Sequence, residues 1–382
     1  MQRRKSAQRI ASMSTSIFAT MSKMAFEYNA INLGQGFPDF DGPTWIMEEA
    51  FNAMKSGKNQ YAPSPGIISL RKEISNYQNK FYDLNYNPEN EIVITAGATE
   101  ALYSAITAFI EAGDEVILFE PYYDAYPSDV ILAGGTPKYV TLYKPDFHFN
   151  PDELEEAITE KTKMIIINTP HNPTGKVFSK EELEIIAKIA IKNDLLVLTD
   201  EVYEFLTYGK PHIPMATIEG MKDRTITISS TGKTFGLTGW KIGYATASEG
   251  LATAIQKVHQ WVTFAVNTPA QHAFAYAFSR LEEYLPEFRQ LYLNKRNLML
   301  AELKNTEFNG LIPYGSYFIM AEIPVGKFLN DVDAATKLVK ENRVATIPPS
   351  VFYSKSYEGN SMLRLCFAKT DNTIINGIRA LK

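Results

Sequence analysis

The sequence predicts an α/β fold, a mainly parallel sheet covered by helices on both faces and joined to a second, smaller α+β unit. Continuous apolar runs of strand length recur between residues 91 and 247, each bounded by turn residues and separated by stretches with helical spacing. Such runs suit strands buried on both faces, as in a parallel sheet whose crossovers are helices. After about residue 280 the pattern changes to a long charged helical stretch followed by isolated strand-like runs, SYFIMAEI (316–323) and MLRLCFA (362–368). With 382 residues there is room for about two to three compact units. No repeat or flexible linker divides them, so close packing is expected.

IFATMSKMA (17–25) has helical spacing. EIVITA (91–96) reads as a strand leading into a helical TEALYSAITAFIEAG (99–113), followed by strands VILFE (116–120) and KYVTLY (138–143). Asn150 and Pro151 mark a short helix, the Asn side chain capping it and the Pro occupying its first turn. MIIINTP (164–170) is another buried strand. Ser179 and Glu182 form a capping box that opens the helix EELEIIAKIAIKND (181–194). LLVLTDE (195–201), TITISST (225–231) and IGYATA (242–247) complete the strands of the larger unit.

Hydrophobic residues make up 45% of the chain and charged residues 21%, which excludes disordered, collagen-like and coiled-coil readings. The net charge of −5 has the wrong sign for a protein that neutralises nucleic-acid phosphates. No apolar run approaches the roughly 18 to 20 residues that cross a bilayer. A single cysteine, Cys366, cannot form an intramolecular disulfide, which points to a reducing, cytoplasmic compartment. The five histidines have no metal-site spacing, so no metal is expected. Arg3, Arg4, Lys5 and Arg9 lie among serines with no acid before Glu27. That composition allows a targeting segment over residues 1–12, but a basic amphipathic arm is the reading preferred.

Chemistry concentrates in three segments. In SSTGKTFGLTGWKIGY (229–244), Lys233 follows a strand in a turn of small residues, where an enclosed amine with a lowered pKa can act as a covalent nucleophile. Gly232, Lys233 and Thr234 also match the end of a phosphate-binding loop, but Thr227 stands where that motif needs glycine. NTPHNPTG (168–175) and TDEVYE (199–204) each follow a buried strand. Asn172, Asp200 and Tyr203 therefore project from the carboxyl edge of one parallel sheet, where ligands bind.

Together with INLGQGFPDF (31–40), NQYAPSPGIISLR (59–71), AGATEAL (96–102) and EPYYDAY (120–126), these segments resemble the fold-type I, pyridoxal-phosphate-dependent aminotransferases of the aspartate aminotransferase superfamily (class I/II). LGQGFPDFDGP (33–43) and HQWVTFAVNTPAQ (259–271) are most similar to the methionine and kynurenine–glutamine aminotransferases. The resemblance implies a seven-stranded sheet in a large cofactor domain over 31–283, a small domain over 284–382, and an N-terminal arm over 1–30 associated with the small domain.

It also implies roles. Lys233 forms the internal Schiff base with pyridoxal 5'-phosphate and later moves the proton at the substrate Cα. Asp200 pairs with the pyridine nitrogen, Asn172 and Tyr203 hydrogen-bond the ring oxygen, and Tyr123 stacks on the ring, with neighbouring Tyr122 the alternative. The amides of Ala98 and Thr99, Ser230 and Lys241 hold the phosphate at a helix N-terminus. Lys241 departs from the arginine common in the superfamily, keeping the charge and losing the bidentate fork. Tyr61 matches a tyrosine that reaches the neighbouring subunit's site, implying a homodimer. Arg364, an arginine in an apolar strand, binds the substrate carboxylate bidentately together with the Gly36 amide and Asn172. Phe18 lines a pocket for large apolar side chains. Pro348-Pro349-Ser350 departs from the family's Pro-Gly-Ser, which bears on the substrate-side loop.

The expected activity is ping-pong transamination between a neutral, largely apolar or aromatic amino acid (methionine, phenylalanine, kynurenine or glutamine) and a 2-oxo acid. The alternatives are a carbon–sulfur β-lyase on the same fold and a non-catalytic regulator, whose DNA-binding module finds no room in about 30 residues before INLGQGF.

Overall fold

The computed structural model describes residues 7–11, 13 and 15–382. Arg3, Arg4 and Lys5, and most of the segment 1–12 considered for targeting, lie outside the described residues.

Seven strands form the central sheet: β1 (Ile92–Thr95), β2 (Glu115–Glu120), β3 (Thr136–Thr141), β4 (Thr162–Asn168), β5 (Leu196–Asp200), β6 (Thr225–Ser230) and β7 (Gly243–Thr246). Their spatial order is β1-β7-β6-β5-β4-β2-β3. β7 runs antiparallel to both neighbours, β1 and β6, and the other pairings are parallel. The strand-like runs read from the sequence all appear, their ends shifted by at most two residues.

The sheet explains why those runs lack polar alternation. Along β2, β4 and β5, Ile117, Phe119, Ile165, Ile167 and Val197 pack in one core cluster with Leu183, Ile186 and Ala190 of the helix Lys180–Lys192. Their alternating neighbours Val116, Leu118, Met164, Ile166 and Leu198 pack in the other, with Ala101, Leu102, Ala105 and Ile106 of the helix Gly97–Phe109. Successive side chains point to opposite faces, and both faces are covered, so every position must be apolar.

The capping signals form as expected. Asn150 Oδ1 accepts from the Asp152 amide at 3.0 Å, and Ser179 and Glu182 make both bonds of the capping box. The helix Leu281–Leu303 runs without interruption past residue 283. Beyond it lies a three-stranded antiparallel sheet in which β8 (Phe318–Glu322) pairs with β9 (Met362–Cys366), Met320 opposite Arg364. Ile31–Asn32 pairs in parallel with Val344–Ala345, and the helix Ile17–Glu27 packs beside that pair, so the two ends of the chain meet there.

Candidate active site

The parallel strands end in polar residues. Asn168 closes β4, Asp200 closes β5 in register with it, and Ser230 closes β6. These three line a cavity of about 330 Å³ between the sheet edge, the N-terminal segment and the smaller sheet. Lys233, Asn172, Asp200, Tyr203, Tyr123, Ala98, Thr99, Ser230, Lys241, Arg364, Gly36 and Phe18 all line it. Tyr61 does not. Its side chain is 83% exposed and meets Phe264 edge-on, with ring centroids 5.4 Å apart.

Lys233 lies in the short helix Thr231–Thr234 that follows β6. Its Nζ donates to the Tyr317 hydroxyl at 2.9 Å and to the Gly36 carbonyl at 3.3 Å. Burial pushes the amine down to about 8, because removing solvent penalises the ammonium form.

Asp200 is buried at the strand end. The Tyr126 hydroxyl donates to its Oδ2 at 2.7 Å, and the Val202 amide donates to Oδ1 at 3.3 Å. Burial lifts the carboxyl to about 6 despite these donors. The Asn168 side chain fixes the same edge, donating to the Asp200 carbonyl at 2.8 Å while its Oδ1 accepts from the Asn172 amide at 2.7 Å.

Arg364 is 1% exposed at the middle of β9. One terminal nitrogen donates to Asn172 Oδ1 at 2.9 Å and the other to the Gly34 carbonyl at 2.6 Å. The guanidinium lies 4.2 Å from the Phe318 ring centroid and 4.8 Å from that of Phe18, which itself stacks on Phe352. Its Nε is buried with no hydrogen-bond partner among the described residues. With Oδ1 of Asn172 engaged by Arg364, the amide NH₂ is the donor left to the cavity. Pro349 opens the short turn Pro349–Phe352 that delivers Phe352 to this stack, and the Ser350 amide is held by Asp331 at 2.7 Å.

The helix Gly97–Phe109 presents its N-terminus with no side-chain cap. The amides of its first turn have no partner within the helix, and its dipole favours an anion there. Two glycines make the place. Gly97 has φ +76, and a Cβ on it would stand 3.1 Å from Lys241 Nζ. A Cβ on Gly243 would fall 2.4 Å from the Gly97 carbonyl carbon and 2.5 Å from the Ala98 nitrogen.

Of the two adjacent tyrosines, Tyr123 faces the cavity. Tyr122 turns away to bond Ser354 at 2.8 Å and pack on Tyr139. Three contributors were missed in the sequence. Tyr126 lies in the first turn of the helix Ala125–Ala133, three residues after Tyr123, and the two rings meet edge-on with centroids 5.6 Å apart. Asn168 ends its strand as Asp200 does. Tyr317 comes from the distant smaller sheet and carried no local signal.

Residues 28–381 match the family Aminotransferase class I and II. The chain belongs to that family, and it is a transaminase. This aminotransferase is 38% identical to a kynurenine–oxoglutarate transaminase from Dictyostelium discoideum, over 97% of this chain and 94% of the relative. It is 36% identical to a methionine aminotransferase from Escherichia coli, over 98% and 97%. The solved structure of N-succinyldiaminopimelate aminotransferase from Mycobacterium tuberculosis superposes with a TM-score of 0.95 at 38% identity, covering 98% of this chain and 99% of that one.

The family works with pyridoxal phosphate, and the cavity of this aminotransferase fits that group. It offers an uncapped helix N-terminus beside Lys241 for a phosphate, a buried carboxylate for a protonated ring nitrogen, and an amine for an aldehyde. Arg364 lines the same cavity with its guanidinium Nε unpartnered among the described residues. Among the described residues no group of three or more His, Cys, Asp or Glu is placed to hold a metal, and no helix is long and apolar enough to cross a membrane.

Proposed function

We propose that this aminotransferase takes the amino group of a neutral, largely apolar or aromatic L-amino acid and passes it to a 2-oxo acid by a ping-pong mechanism, using pyridoxal 5'-phosphate. The observation that carries the reading is the single cavity in which Lys233, Asp200 and Arg364 converge against the apolar Phe18, Phe37, Leu102 and Phe318.

When bound, the cofactor supplies an aldehyde for the amino group and an electron-withdrawing ring that acidifies the substrate Cα–H. Ala98, Thr99, Ser230 and Lys241 hold its phosphate, and Tyr123 covers its ring. Asp200, as a carboxylate, keeps the ring nitrogen protonated. Asn172 and Tyr203 donate to the ring oxygen. Arg364 and the Gly36 amide orient the substrate by its carboxylate, so that the Cα–H faces Lys233. A Lys233 amine titrating near 8 is partly neutral at physiological pH, as a group that accepts and returns the Cα proton must be.

The apolar preference follows from the lining, whose cations among the described residues are Lys233, Lys241 and Arg364. Each already has a role, which leaves no cation for a second substrate carboxylate. The names of the Escherichia coli and Dictyostelium relatives agree with that preference. A homodimer completes the site, with exposed Tyr61 reaching the neighbouring cofactor. The division at 30 and 283 into an arm, a large and a small domain, and a cytoplasmic location, belong to the same reading.

A panel of amino acids against several 2-oxo acids tests it. Methionine, phenylalanine, kynurenine or glutamine should be the best donors, and the visible cofactor band should be missing in Lys233→Ala. A wild-type protein that never takes up the cofactor, or one that prefers a donor with an acidic side chain, overturns the reading.

A further inference from the structure

Tyr317 immediately precedes β8, and its hydroxyl lies against the reacting amine rather than in the core. The side chain is 1% exposed. Three hydrogen bonds hold the backbone of Ser316 and Tyr317. Ser316, at φ +56, donates its amide to the Leu206 carbonyl at 2.9 Å and accepts from the Tyr208 hydroxyl at 2.8 Å. The Phe367 amide donates to the Tyr317 carbonyl at 3.0 Å. A left-handed serine costs conformational energy, and such positions persist where surrounding contacts over-determine them, commonly at functional sites. The Tyr317 ring stands edge-on to Tyr203, with centroids 4.9 Å apart.

The directions of the hydrogen bonds matter more than their number. The Tyr317 hydroxyl donates to the Gly36 carbonyl, so its one proton is committed. Toward Lys233 it can only accept, and the Gly36 carbonyl, the second contact of Lys233 Nζ, is also an acceptor. A neutral amine has two N–H bonds and one lone pair. Both acceptors engage N–H bonds, which leaves the lone pair unbonded.

We propose that Tyr317 is a positioning residue for the transfer, its hydroxyl pinned by Gly36 so that it takes an N–H of Lys233 and directs the amine's lone pair into the cavity. The proposal rests on the reading of Lys233 as the group that moves the Cα proton.

The test is Tyr317→Phe, which keeps the ring and removes the hydroxyl, with 3-fluorotyrosine at position 317 as a milder change that preserves the fold. In the cofactor-loaded enzyme kcat should fall roughly tenfold or more, because a misaimed base loses its near-attack geometry, while KM for the amino acid stays within about twofold. In the full-length chain before cofactor is added, the pH midpoint for acylation of Lys233, followed by mass spectrometry, should move down by roughly one pH unit, since the ammonium loses an acceptor. The fluorotyrosine enzyme should fall between. An unchanged kcat with an unchanged midpoint, or a loss confined to KM, overturns the proposal. If the wild-type protein itself takes up no cofactor, the proposed function fails instead. The acylation midpoint then decides the Tyr317 contact alone, and an unmoved midpoint overturns it.

Discussion

Replacing Tyr126 by phenylalanine removes a single hydroxyl, the one that donates to Asp200 Oδ2 at 2.7 Å, and leaves the ring packed against Tyr123. The Val202 amide at 3.3 Å is then the remaining donor to that carboxyl. A hydrogen bond to a charged group contributes about 1.5–3 kcal/mol, and each pKa unit corresponds to about 1.4 kcal/mol. The Asp200 pKa should therefore rise from about 6 to roughly 7–8. At pH 7 the ionised fraction falls from about nine-tenths to between one-half and one-tenth. Only the carboxylate can pair with a protonated ring nitrogen, so cofactor affinity should weaken by about twofold to tenfold at pH 7. The penalty should grow toward pH 6 and vanish by about pH 9, where both proteins are ionised. Cofactor titrations followed by absorbance at pH 6, 7 and 9 measure this. A wild-type-to-variant ratio that does not change with pH refutes the argument, because a packing defect would weaken binding equally at every pH.

Asp200→Asn should stabilise the chain without cofactor. The folded pKa of about 6 lies above the ordinary 3.8, so the folded state binds the extra proton between those values and stability falls as pH rises through them. The cost reaches about 3 kcal/mol above pH 6, and a higher Tm for the variant at pH 8, with the gain lost near pH 4, is the expected result. Gly243→Ala should destabilise the chain by roughly 1–3 kcal/mol of overpacking, read as a lower Tm, and should also weaken cofactor binding, because its Cβ meets the Ala98 nitrogen at 2.5 Å in the proposed phosphate cradle. Tyr61→Ala should leave monomer packing intact, since the side chain is 83% exposed, yet impair activity. Mixing it with Lys233→Ala should restore activity through hybrid dimers carrying one intact site, and a mixture as inactive as its parts argues against a shared site.

Much of the fold was legible because its signals are local. Strand runs, the Asn150 cap, the Ser179–Glu182 box and the polar residues closing β4, β5 and β6 all depend on neighbours a few positions apart. The direction of β7 was not legible. IGYATA has the same buried apolar character as the parallel strands, and only its place between β1 and β6 reveals the reversal. Among the site residues, those from the sheet edge stood in recognisable segments and do line one cavity.

Order along the chain and residue chemistry determined the class of fold and the set of groups, an amine, a carboxylate and a guanidinium, that could meet at a carboxyl edge. Which atoms touch was decided by tertiary structure alone. Tyr317 and Gly36 are separated by 281 residues, yet both bond Lys233, and Asn172 meets Arg364 across 192. Tyr123 rather than Tyr122 faces the cavity because the Tyr122 amide bonds the Phe352 carbonyl at 2.9 Å, a contact between distant segments. Periodicity records whether a position is buried. The partner of a hydrogen bond depends on how two remote segments dock, and no spacing in the sequence encodes that.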